Sequence, residues 1–318
     1  MPSSSKRRWT PSATGRRTFA TGRSPARTRR TEVDIVRRAQ AIRDIVRRAR
    51  ESGLRVGFVP TMGALHEGHR SLMRAINEST DVSVVSVFVN PTQFGPDEDL
   101  ETYPRDQTAD VDVCIAQGVD YLFLPAVEEI YADDAATFVE VEGLSDRLEG
   151  ASRPGHFRGV ATVVTKLLNI VGPHVAAFGQ KDAQQAALVQ RMVQDLFIDV
   201  EIHVHPTVRE ADGLALSSRN RYLSDEERAA AAAVPRAIEA ARRRVEEGET
   251  DAEKIVEAAR TVIENEPLLR VDYIELVGRR SFNPIEQLEK EALLLAAIHC
   301  GTVRLLDNTQ LSPATGSE

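Results

Sequence analysis

Val56-Gly57-Phe58-Val59 runs directly into Pro60-Thr61-Met62-Gly63-Ala64-Leu65-His66-Glu67-Gly68-His69, and how this stretch folds governs the rest of the chain. Four apolar residues are a short buried strand. The glycine-containing turn that follows opens a helix, whose first N–H groups are unpaired and lie at the positive end of its dipole. Such a turn is an anion site, and here two imidazoles are added to it. His66 and His69 are three apart, so on a helix both project from one face. A zinc protease needs H-E-x-x-H, with histidines four apart, so His-Glu-Gly-His is one residue short of that chemistry. Gly68 leaves the backbone bare between the rings, which admits a flat ring or a phosphate. A helix cap carrying two ordinary polar histidines is the alternative reading of the stretch taken by itself.

Working outward, Val82–Val89 is a second near-continuous apolar run of the kind buried in parallel sheets. Strand, helix and strand over about thirty-five residues make a βαβ unit. Asn90-Pro91-Thr92-Gln93-Phe94-Gly95 then falls at the carboxyl end of the second strand, the ligand edge of an open α/β sheet. A helix near 105–117 and a strand at Tyr121–Leu124 follow, and Thr137–Val141 reads as an edge strand. Arg153-Pro154-Gly155-His156-Phe157-Arg158-Gly159 is a stiff cationic loop. In the next helix, 160–171, the stripe Val160, Val163, Val164 and Leu167 reads as core. A strand at Val175–Phe178 ends in Gly179-Gln180-Lys181-Asp182-Ala183-Gln184-Gln185 and enters helix 184–195, repeating the strand–turn–helix logic with a lysine and an aspartate at the turn. Two such turns on one sheet point to a nucleotide site. In the strand Val200–His205, His203 and His205 share one side, with no third metal ligand nearby.

Upstream, Val33–Glu51 has apolar residues near helical spacing and reads as one amphipathic helix. Downstream of Pro206, Ser217 and Ser218 stand beside Arg219 and Arg221, suited to phosphate oxygens. Ser224 caps a helix with an acidic first turn, an alanine-rich helix covers 229–246, and another covers 251–265. Strands at Val271–Val277 and Val303–Leu306, with the apolar run 292–298 between them, suggest a small α+β unit. The expected fold is therefore α/β. A nucleotide-binding domain with a parallel sheet takes 32–206, a smaller C-terminal α+β domain 207–310, and a frayed tail 311–318.

Composition limits the function classes. The 318 residues are 42% hydrophobic and 28% charged, ordinary for a folded protein, and no apolar run approaches a membrane span. Cys114 and Cys300 match no metal or redox spacing and read as reduced core residues, which fits a cytoplasmic location. Residues 1–31 carry nine basic side chains and no acidic one, so the rest of the chain is more acidic than the net charge of −8 suggests. An acidic body is a poor platform for nucleic acid. The basic segment reads as a disordered tail, and its composition also overlaps with transit peptides.

Taken together, the opening stretch, Asn90–Gly95, Arg153–Gly159, Gly179–Gln185 and Leu216-Ser217-Ser218-Arg219-Asn220-Arg221-Tyr222-Leu223 resemble the pantothenate synthetase (pantoate–beta-alanine ligase) family, within the HxGH nucleotidylyltransferase superfamily. The resemblance runs from about residue 33 to 310. It implies a Rossmann-type ATP-binding domain with a smaller C-terminal lid domain, in a homodimeric, Mg²⁺-using enzyme that joins pantoate to beta-alanine at the expense of ATP through a pantoyl adenylate. It also implies roles. His66 and His69 meet the triphosphate, Lys181 bridges phosphate and pantoate carboxylate, and Ser217, Ser218 and Arg219 hold the β and γ phosphates. Gly179 and Asp182 lie against the ribose, with Leu216 and Met62 also at the nucleotide. Gln93 and Gln185 hydrogen-bond pantoate, whose gem-dimethyl group packs on Met62, Val160, Val163 and Val164, and Arg153 is an active-site cation. The metal ligands are not implied. The chain departs from the family at Gln180, Ala183 and Leu216, where Glu, Tyr and Met are frequent. A simple nucleotidylyltransferase, an aminoacyl-tRNA synthetase and a catalytically silent nucleotide binder are the competing classes.

Overall fold

The computed structural model describes residues 32–96 and 98–314. The basic segment 1–31 and the last four residues lie outside this range, so the expectation of a disordered tail at 1–31 is not addressed.

Among the described residues, nine strands and ten helices follow in order: β1 (Asp34–Val36), α1 (Ala39–Glu51), β2 (Val56–Thr61), α2 (Glu67–Ser79), β3 (Val82–Val87), α3 (Gln107–Ala116), β4 (Tyr121–Phe123), α4 (Val127–Ile130), α5 (Glu149–Ser152), α6 (His156–Val171), β5 (Val175–Gly179), α7 (Ala183–Asp195), β6 (Glu201–His205), α8 (Asp225–Ala231), α9 (Ala233–Glu246), α10 (Ala252–Glu264), β7 (Leu269–Gly278), β8 (Ala292–Cys300) and β9 (Val303–Leu311). Short 3₁₀ turns cover Pro91–Gln93, Gln180–Asp182 and Ser218–Tyr222. The first six strands form one parallel sheet in the order β1-β4-β3-β2-β5-β6. The chain leaves β2 toward β3 on one side and resumes at β5 on the other. The crevice beyond the carboxyl ends of β2 and β5 is therefore a topological switch point, the usual ligand position in such sheets.

Strand alternation separates the two faces. Phe58 and Val84 pack under α6 and α7, while Val59 and Val85 pack against Leu72, Met73 and Ile76 of α2. The C-terminal sheet is antiparallel, β7-β8-β9. Its central strand is buried on both sides: Leu294, Ala296 and Ile298 face α9 and α10, whereas Leu293 and Leu295 join the core of the parallel sheet.

Four sequence expectations are corrected. Residues 34–36 are a strand paired with β4, and the helix starts only at Ala39. Ile35, Val36 and Ala39 imitate helical spacing, but the backbone of Tyr121–Phe123, distant in sequence, offers a ladder. Residues 137–141 form no strand, and Val139 N donates instead to Thr162 Oγ1 of α6 at 3.0 Å. The alanine-rich helix is broken at Ala232, because Pro235 has no N–H to donate to Ala231. Finally, Leu311, expected to begin a frayed tail, closes β9 and is 3% exposed. The cap at Ser224 is as expected, reciprocated by Glu227.

Candidate active site

All sixteen residues singled out in the sequence line one cavity of about 290 Å³: Met62, His66, His69, Gln93, Arg153, Val160, Val163, Val164, Gly179, Lys181, Asp182, Gln185, Leu216, Ser217, Ser218 and Arg219. It sits at the switch point, where α2 and α7 start side by side. The valine stripe of α6 is both core and wall, since Val160, Val163 and Val164 are buried and border the cavity.

The two imidazoles are built into the helix start. His66 is the N-cap of α2; its Nδ1 accepts from Gly68 N at 3.1 Å, and His66 N donates to His69 Nδ1 at 3.2 Å. Each ring thus takes a backbone proton on Nδ1, so its own proton is on Nε2, the edge left for the cavity. The rings stand 4.2 Å apart. Burial, with a smaller push from Lys181, lowers His66 to a pKa of about 4. Burial followed by His66 lowers His69 to about 3. Both are neutral N–H donors at neutral pH. A Cβ on Gly68 would come within 2.9 Å of the His66 ring, so glycine is what lets the ring fold back over the first turn. The turn ahead of it is left-handed at Ala64, φ 51°, and is held by Asp110, whose carboxylate accepts from Ala64 N at 3.3 Å and Leu65 N at 2.8 Å. Burial outweighs those hydrogen bonds and raises the pKa of Asp110.

Across the crevice, Lys181 Nζ lies 3.7 Å from Asp182 Oδ1. Lys181, then Arg219 and Arg153, hold the half-exposed carboxyl of Asp182 below the usual range. Gln180, where the family often has Glu, donates to Asn308 Oδ1 at 3.1 Å. The two adjacent glutamines differ. Gln184 uses its amide on Glu149 N, Leu144 O and Arg147 O, whereas Gln185 is half-buried on the cavity wall.

Gln93 is set by its neighbours. Its Nε2 donates to Met62 Sδ at 3.2 Å and its Oε1 accepts from Asn90 Nδ2 at 3.0 Å. α6 approaches this turn so closely that a Cβ on Gly159 would lie 2.4 Å from Thr92 O. His156 joins Gln93 to the cation: its Nδ1 donates to Gln93 O at 2.9 Å, and its Nε2 accepts from Arg153 Nη1 at 3.0 Å. Burial, then Arg153, lowers its pKa to about 4. Arg153 is also paired at two points with Glu98, at 2.6 and 2.7 Å, and Arg219 with Asp99. Ser217 Oγ caps the 3₁₀ turn that bears Arg219, accepting from Arg219 N at 3.3 Å.

Several lining residues escaped the sequence reading: Tyr103, His156, Thr207 and Val208 near the turns, and Asn308 from β9. His156 stood in a quoted motif, and its bonding partners were the missing information. Asn308 carried no signal, since it sits in a strand distant from every motif.

A sequence model of the family described as Pantoate-beta-alanine ligase matches residues 34–310. The chain belongs to the pantoate–beta-alanine ligase family. It is 52% identical to the pantothenate synthetase of Pelotomaculum thermopropionicum over 270 residues, which is 85% of this chain and 96% of that one. It is 54% identical to the pantothenate synthetase of Acidobacterium capsulatum over 256 residues, 80% and 86% of the two chains. Among solved structures, pantothenate synthetase from Thermus thermophilus superposes with a TM-score of 0.84 at 44% identity, covering 88% of this chain and all of that one. The pantoate-beta-alanine ligase of Francisella tularensis, solved with beta-gamma ATP and beta-alanine, gives 0.70 at 34% identity, over 87% and 97% of the chains. Membership of the ligase family removes the free-standing nucleotidylyltransferase and the tRNA synthetase as readings. Among the described residues no helix is long and apolar enough to cross a membrane.

Proposed function

We propose that this cavity condenses pantoate with beta-alanine, using ATP and passing through pantoyl adenylate. The observation that carries the reading is the pairing of two neutral imidazole donors on one turn with Lys181 and Arg219 facing the same cavity, beside an apolar wall flanked by glutamine amides.

A carboxylate does not acylate an amine unaided, because its leaving group would be oxide. In the first step a pantoate carboxylate oxygen attacks the α-phosphorus of ATP, the bond to the bridging β-oxygen breaks, and pyrophosphate leaves. Charge grows on the phosphoryl and departing oxygens. The site answers with fixed donors rather than a nucleophile: His66 and His69 through Nε2–H, Lys181 between phosphate and carboxylate, and Ser217, Ser218 and Arg219 on the β and γ phosphates. Neutral imidazoles suit this task, since they donate without being poised to lose a proton. Gly179 and Asp182 take the ribose side, with Leu216 and Met62 at the nucleotide. Gln93 and Gln185 orient pantoate against Met62, Val160, Val163 and Val164, with Arg153 a neighbouring cation. In the second step the free amine of beta-alanine attacks the acyl carbon, AMP departs with the shared oxygen, and the amine proton passes to solvent.

Mg²⁺ enters this reading as part of the nucleotide. Among the described residues no three metal-ligating side chains converge, which favours an ion carried on the phosphates over a cage built by the protein. A division into two domains near Pro206 is supported by the separate sheets, and a cytoplasmic setting by two buried free thiols. A homodimer is supported by the solvent-facing Leu196 and Phe197 at the end of α7, and light scattering at the mass of a single chain would remove it.

The activity is tested by incubating the chain with ATP, Mg²⁺ and pantoate while following pyrophosphate, then adding beta-alanine and following AMP. Pantoate-dependent pyrophosphate release is expected. Release indifferent to pantoate, or no turnover, would refute the reading.

A further inference from the structure

Asn308 is 4% exposed and lies on β9, where the C-terminal sheet meets the β5–α7 turn. All three of its amide bonds go to that turn. Nδ2 donates to Gln180 O and to Lys181 O, both at 2.9 Å, and Oδ1 accepts from Gln180 Nε2 at 3.1 Å. The two carbonyls belong to the 3₁₀ turn at the head of α7 and flank the Cα of Lys181. A rigid planar amide gripping both fixes the two peptide planes around that Cα, and with them the direction in which the lysine side chain leaves the backbone.

The neighbouring residue extends the grip. Asp307 is 2% exposed; its Oδ1 accepts from Asn308 N at 2.7 Å, and its carboxylate receives Arg209 at two points, 2.7 and 2.9 Å. Arg209 pairs with Ala215 in an isolated antiparallel bridge, two residues ahead of Ser217. One dipeptide of the C-terminal sheet thus touches the lysine turn directly and the serine–arginine segment through an ion pair whose aspartate is buried.

We infer that Asn308 is a positioning residue for Lys181, and that with Asp307 it sets the spacing between the lysine turn and the Ser217–Arg219 segment. The inference rests on the role given to Lys181 under Proposed function. It differs from simple gluing of one lobe to the other, because its effect on rate must pass through the lysine.

Asn308→Asp keeps the shape but turns an oxygen toward two carbonyl oxygens, and Asn308→Ser removes the grip with little change of packing. Either is expected to lower kcat by about 10- to 100-fold, the scale of an ångström-level misplacement of a catalytic group. In a Lys181→Ala background the same substitutions are expected to cost nothing further. If Asn308→Asp does not fold, Asn308→Ser carries the comparison. Amide exchange at residues 183–185, measured by mass spectrometry, reads the grip without catalysis and should be faster in Asn308→Ser. An unchanged kcat, an equal fold loss in both backgrounds, or unchanged exchange would overturn the inference. A normal rate for Lys181→Ala alone would overturn the role of the lysine instead, and is told apart by that single variant.

Discussion

Asp99 and Arg219 form a two-point ion pair, Oδ2 to Nε at 3.3 Å and Oδ1 to Nη2 at 3.1 Å, tying the segment after β3 to the loop that carries Ser217 and Ser218. Glu98, one residue earlier, does the same to Arg153. Carboxylates therefore pair with both arginines, and a nucleotide phosphate that takes the Nε–Nη2 edge of Arg219 must exchange with Asp99. Partly exposed pairs of this kind contribute about 0.2–1 kcal/mol. Asp99→Asn is accordingly expected to lower the KM for ATP by a factor of about five at most. Steady-state kinetics at low salt check this, and a higher KM would show that Asp99 acts on the nucleotide side rather than against it.

The two histidines bring a pH dependence with a definite sign. His66 and His69 titrate at about 4 and about 3 in the folded chain, against 6.5 when unperturbed. Between 6.5 and about 4 the unfolded chain binds more protons, so stability is fully present above 6.5 and is lost as pH falls through that window. His156, at about 4, adds to the same slope. Urea midpoints should decline from pH 7 to 4.5, and the decline should be shallower in His66→Asn. Equal slopes would contradict the buried neutral ring. Activity, in turn, should show no acid limb near 6.5 arising from these two residues.

Gln184 and Gln185 are neighbours in different settings, the first spent on backbone partners and the second half-buried on the cavity wall. Gln184→Leu leaves three backbone partners unsatisfied beneath α5 and is expected to destabilise the fold by about 2–3 kcal/mol. Gln185→Leu should leave the melting temperature unchanged and raise the KM for pantoate several-fold. Thermal melts alongside substrate titrations distinguish them, and interchanged outcomes would reverse the assignment.

Most of the parallel sheet was legible because its signals are local: apolar strands, a glycine turn, a helix start, and the same grammar again at Gly179–Gln185. The site was legible for the same reason, since the switch point brings the ends of β2 and β5 together and puts motifs over a hundred residues apart into one cavity. What stayed hidden depended on partners remote in sequence. Asp34–Val36 becomes a strand only because Tyr121–Phe123 lies beside it, and 137–141 stays irregular, with Val139 bonded to Thr162 of α6 instead of to a strand. Ala292–Cys300 reads as an apolar run until β7 and β9 flank it. Asn308, His156 and the acidic pair Glu98 and Asp99 belong to this class as well. Their residue types are ordinary, and only their contacts make them part of the site.

The pantoyl adenylate step is tested most directly by oxygen transfer. Pantoate labelled with ¹⁸O in its carboxylate is converted with unlabelled ATP and beta-alanine, and the products are weighed by mass spectrometry. Attack of the carboxylate on the α-phosphorus must leave one labelled oxygen in AMP, and that is the expected result. Label in pyrophosphate or released as water, with none in AMP, would contradict it.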